Sequence, residues 1–65
     1  MEDRKVHEKL RDYVVEQNIK QKVMAENMDI SESRLSMMLS GRRKMTVEDY
    51  VSACKAIAVS PMKFL

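Results

Sequence analysis

Residues 21–41 read QKVMAENMDISESRLSMMLSG, and this stretch decides the architecture. Met24, Ala25 and Met28 share one face at helical spacing, which predicts a short helix from Gln21 to Met28. Asp29 breaks it. Ser31 is a natural N-cap for a second helix from Glu32 to Ser40, whose apolar stripe is Leu35, Met38 and Leu39. Gly41, the only glycine of the chain, stops that helix where a left-handed residue is wanted. Asp29, Ile30 and Ser31 are all that separate the two. So short a turn forbids an antiparallel hairpin, and the helices must cross steeply. Ala25 supplies the small side chain that close crossing needs, and Ile30 plugs the space inside the turn.

Outward from this helix-turn-helix unit, Val6, Leu10, Tyr13 and Val14 follow the spacing of one helical face and predict a first helix over about residues 4–17. Glu2 and Asp3 stand at its positive end, and Asn18 suits a left-handed exit. After the basic loop Arg42-Arg43-Lys44, Thr46 caps a fourth helix, with Asp49 three residues on as an approximate capping box. Val47, Tyr50, Val51, Cys54, Ile57 and Ala58 form its expected inner face. Ser60-Pro61 reads as cap plus first-turn proline of a last short helix through Met62, Phe64 and Leu65. The expectation is an all-α bundle of five helices, with residues 1–65 as a single domain.

The chain of 65 residues carries twelve Lys/Arg against ten Asp/Glu, a formal net charge of +2, with 45% apolar residues. One Gly and one Pro argue against disorder and many tight turns, and a sheet protein of this size would need more turn chemistry and more β-branched or aromatic residues. Cys54 is the only cysteine, so no intramolecular disulfide forms, which suits a reducing, cytoplasmic setting. His7 and Cys54 have no partners at metal-ligand spacing. No apolar run approaches the roughly 18 residues of a membrane span, and the charged start Glu2-Asp3-Arg4-Lys5 is not a signal peptide. No nucleophile has a base, and no carboxylate pair is placed for acid–base work, so the chain is not expected to be an enzyme. No cofactor and no small-molecule ligand is implied.

Residues 19–65 resemble the lambda-repressor-like, Xre/Cro-type helix-turn-helix domains of bacteria and their phages. The residues that carry the resemblance are Ile19-Lys20-Gln21, Met24-Ala25, Met28, Ser33-Arg34-Leu35-Ser36, Gly41-Arg42-Arg43, Val59-Ser60 and Phe64-Leu65. Asp29 stands where the family usually has Gly, Met38 where it often has Trp, Leu39 where it often has Glu, and Met45 where a Pro is common. The resemblance implies a DNA-binding regulator whose third helix enters the major groove with its N-terminal part.

With Leu35 and Met38 turned inward, a turn of 100° per residue points Ser33, Met37 and Ser40 outward, with Arg34 and Ser36 flanking them. The resemblance therefore nominates Glu32, Ser33 and Met37 for base edges, with Ser36 and Arg34 beside them. It assigns Gln21, Lys20, Lys22, Ser40, Arg42, Arg43 and Lys44 to the DNA backbone. It also implies a homodimer on a near-palindromic operator, and the apolar end Met62, Phe64 and Leu65 is its expected interface. Such a chain is either a small Cro-like protein or the first half of a longer repressor.

Plainer readings stand beside these. Glu32 also serves the helix dipole, Arg42 to Lys44 also make a solvated loop, Cys54 is a buried structural thiol, and His7 an edge histidine. A protein-interaction module that kept the fold and lost the groove reader is the alternative, motivated by Glu32, Met37 and an uncovered Leu39. An antitoxin component would further need a toxin-binding segment.

Overall fold

The computed structural model describes residues 5–65. Four α-helices run in chain order: α1 Val6–Glu16, α2 Gln21–Met28, α3 Glu32–Ser40 and α4 Val47–Ala56. A single 3-10 turn, Pro61–Phe64, follows them, and there is no strand among the described residues. The first helix is thus shorter than its periodicity suggested, and Glu2 and Asp3 lie outside the described residues. The central two helices have the expected limits.

Side-chain caps start α3 and α4, and every α-helix is stopped by a local backbone device. Ser31 Oγ accepts the Arg34 N–H at 3.1 Å, and Thr46 and Asp49 bond reciprocally at 3.1 Å each in a full capping box. Every α-helix leaves through a left-handed residue: Asn18 (φ 56), Asp29 (φ 59), Gly41 (φ 84) and Ala58 (φ 59). In each case the next N–H reaches back five residues, as in Ile19 to Val14 O, Ile30 to Ala25 O, Arg42 to Met37 O and Val59 to Cys54 O, at 2.9–3.0 Å. Three of those following residues are Ile or Val and drop back on the core. The fourth, after α3, is Arg42, and it stays exposed.

Leu10, Val14, Met24, Ala25, Met28, Leu35, Met38, Leu39, Tyr50, Ala53, Cys54 and Phe64 form one buried cluster, closed around its edge by Tyr13, Ile19, Ile30, Met45, Ile57 and others. Burial keeps the Cys54 thiol above its ordinary pKa, as it does the Tyr50 phenol beside it. Cys54 is therefore a neutral core group rather than a reactive thiolate.

Three expectations are corrected here. The inner face of α4 is Tyr50, Ala53 and Cys54, with Ile57 beyond, whereas Val47 is 79% exposed and Ala58 lies outside the helix. Leu39 is fully inside and leaves no apolar patch. Phe64 is buried too, its ring set edge-on to Tyr13 at 5.5 Å between centroids, so it is a core residue. The last helix is a 3-10 turn for a visible reason. Tyr50 Oη donates to the Pro61 carbonyl, the group an α-turn would offer to Leu65, and the Leu65 N–H bonds Met62 O instead.

The exits give a stability test of opposite signs. At Gly41 an added Cβ would meet the His7 imidazole at 2.8 Å in a backbone conformation that disfavours side chains. Gly41→Ala is expected to cost about 1–2 kcal/mol. Ala58→Gly, at an exposed left-handed site, is expected to stabilise by about 1 kcal/mol. Thermal melts of both variants check this. A lower melting temperature for Ala58→Gly would mean that its left-handed exit carries no strain.

Candidate nucleic-acid interface

Helix α3 is pinned from below by Leu35, Met38 and Leu39, all buried, so its opposite side is fixed outward. That side presents Glu32, Ser33, Ser36, Met37 and Ser40, all exposed, with Met37 at 39%. Ser40 Oγ donates to the Met37 carbonyl at 3.1 Å, so its hydroxyl is tied to the end of its own helix. The structure therefore brings four of the five proposed base-reading residues onto one surface.

Arg34 differs. It is half-buried, and its Nη2 lies 3.9 Å from Asp49 Oδ1, across the gap between α3 and the start of α4. Its Nε is buried without a partner. Asp49 thus has two tasks: one carboxylate oxygen closes the capping box on Thr46, and the other faces Arg34. The long-range partnership had no signal in the sequence, since the capping box alone accounts for Asp49. It draws Arg34 towards α4 rather than onto the outward face of α3.

The two flanks of α3 are both suited to anions. Helix α2 starts after Lys20 without a side-chain cap and without an acid in its first turn, whereas α1, α3 and α4 each have an acid in theirs. The open N–H groups at Gln21 and its neighbours, between exposed Lys20 and Lys22, form the positive end of a helix dipole. On the far flank, Arg42, Arg43 and Lys44 are exposed. The Arg42 and Arg43 N–H groups both bond the Met37 carbonyl, at 2.9 and 3.1 Å, which folds the loop back against the end of α3.

At the chain end, Met62 and Leu65 are 73% and 74% exposed, so two of the three residues expected at a dimer contact are uncovered and Phe64 is not. Lys63 lies over the Tyr13 ring at 5.1 Å from its centroid. Among the described residues no group of three or more His, Cys, Asp or Glu could hold a metal, and no helix is long and apolar enough to cross a membrane.

Comparison with known proteins agrees with this geometry. No curated protein and no solved structure matches the chain. The helix-turn-helix family model does, over residues 10–64, from the middle of α1 to the end of the 3-10 turn. A match over residues 10–64, which span α2, α3 and the elements that flank them, is a match of the whole bundle rather than of two helices. The chain therefore belongs to the helix-turn-helix family of the Xre and lambda-repressor type, whose members are DNA-binding regulators.

Proposed function

We propose that this chain is a sequence-specific transcriptional regulator, a Cro- or repressor-like protein that docks α3 in the major groove of an operator and acts by occupying a promoter. Residues 1–65 serve as one DNA-binding domain. The observation that carries the reading is the outward face of α3. It is held rigidly by a buried stripe, is lined by short polar side chains and one Met, and is flanked on both sides by groups suited to phosphates. In that pose Glu32, Ser33, Ser36 and Met37 meet base edges, with Arg34 beside them. Gln21, Lys20, Lys22, Ser40, Arg42, Arg43 and Lys44 follow the backbone. Ser bonds donors or acceptors, Glu accepts from cytosine N4, and Met packs on a thymine methyl.

The protein works as a homodimer in this reading. Met62 and Leu65 meet across a two-fold axis, which sets the third helices about 34 Å apart to reach successive major grooves. The DNA contacts are tested by selecting bound sequences from a random library, then measuring a base-by-base affinity profile for variants. Ser33→Ala and Met37→Ala are each expected to change the preferred base at one operator position. The expected cost is about 1 kcal/mol per half-site, with the melting temperature almost unmoved because both residues are exposed. Unchanged base preferences in both variants would remove the groove-reading claim and leave the interaction-module alternative in its place.

A further inference from the structure

A cavity among the described residues lies away from the reading face of α3. It is a groove of about 490 Å³ where three distant segments meet: the start of α1, the loop after α3 and the start of α4. Its volume is within the roughly 300–1,000 Å³ usual for sites that take small organic molecules. Val6, Met45, Val47 and Tyr50 give it apolar walls, and Leu65 borders it. Lys5, Arg43 and Lys44 stand among the lining residues, no acidic side chain is among the described lining residues, and no ion pair with another described residue engages these three cations. An apolar wall with three cations beside it, none paired with another described residue, is complementary to a ligand that is greasy at one end and anionic at the other.

We propose that this groove binds a small amphipathic carboxylate, its apolar body on Val47, Met45 and Val6 and its carboxylate at Lys5, Arg43 and Lys44, and that the bound acid weakens DNA binding. The second half rests on the DNA-docking reading above, because Arg43 and Lys44 are backbone contacts there. A carboxylate that neutralises them takes those charges from the phosphates. A second copy of the chain is the poorer occupant. A two-fold contact centred on the groove sets each patch against its twin, which here means cations against cations.

The probe is naphthalene-1-acetate, titrated into the purified protein without DNA and followed by amide chemical shifts. The expected shifts concentrate at Val6, Met45, Val47 and Tyr50. The neutral alcohol 1-naphthaleneethanol is expected to bind at least tenfold more weakly. So is the acid to Val47→Glu, which places a carboxylate at an exposed position in the first turn of α4, where the fold tolerates it. Equal binding of acid and alcohol, or an unchanged affinity in Val47→Glu, would overturn the site. Shifts at these residues that follow protein concentration instead of added acid would assign the groove to a second copy. These readings need no DNA, so they stand or fall apart from the regulator reading. On the operator, saturating acid is expected to weaken binding at least fivefold in the native chain, and less than twofold in Val47→Glu compared with that variant alone. Acid bound in the groove with operator affinity unmoved would overturn the regulatory half.

Discussion

Phe64→Ala is expected to lower the melting temperature by about 15 °C or more. Removing a buried Phe costs roughly 3–5 kcal/mol, and about 1 kcal/mol moves the midpoint of so small a domain by roughly 4–8 °C. A chain of 65 residues has a total stability of only about 3–10 kcal/mol, so the variant approaches the unfolding threshold at ordinary temperatures. The ring is 6% exposed and packs edge-on to Tyr13, so its loss opens a cavity between α1 and the 3-10 turn. The carbonyl of nearby Pro61 is held by Tyr50, which keeps that turn in place and stops it collapsing into the gap.

Met62→Glu and Leu65→Glu form the matching controls. Both side chains are about three-quarters exposed, so neither variant loses core packing, and their melting temperatures in dilute solution should stay within a few degrees of the parent. What they are expected to lose is self-association, read by sedimentation at rising concentration. A Phe64→Ala chain that melts like the parent but no longer dimerises would return Phe64 to the interface.

The centre of this fold was readable because its signals are local. Ser31, Thr46 and Ser60 cap within three residues of themselves, and the stripe Leu35, Met38, Leu39 repeats at the helical period within nine residues. Once those three are buried, the outward face of α3 follows from geometry alone. What escaped reading depends on partners far along the chain. Val47 and Tyr50 are equally apolar in a helical wheel, yet only Tyr50 has the 3-10 turn to lean on. Ala53 gives too weak an apolar signal to declare itself as core. Phe64 and Leu65 are adjacent, and Tyr13 at the other end of the chain decides which of them is covered. The left-handed exits divide the same way: Asn18, Asp29 and Gly41 announce themselves by residue type, and Ala58 does not. The Arg34–Asp49 approach and the groove beside Val47 each join separate segments, so no window of sequence contains them.

Replacing Arg42, Arg43 and Lys44 together by Ala should cause the largest loss of DNA affinity of any surface change. On the two subunits of the proposed dimer these side chains neutralise up to about six phosphates, which contributes roughly −5 to the log–log salt slope of the parent. Between 50 and 200 mM salt such a slope amounts to about a thousandfold in affinity. The triple variant should keep only the shallow slope supplied by Lys20, Lys22 and the open end of α2. A single change such as Arg42→Ala should flatten the slope by up to about two units in a dimer, one per subunit. The loss should be nearly the same for every DNA sequence, in contrast to the position-specific changes expected at Ser33 and Met37. Stability is not the cause, because all three side chains are exposed and the loop is held by backbone bonds to the Met37 carbonyl that Ala retains. The position after the left-handed exit makes the same point. The other three helices use it to return an Ile or Val to the core, and α3 alone puts Arg there. Binding measured over a series of salt concentrations checks the prediction. A triple variant with an unchanged slope would make the loop a solvated surface and leave the affinity to α2 and α3.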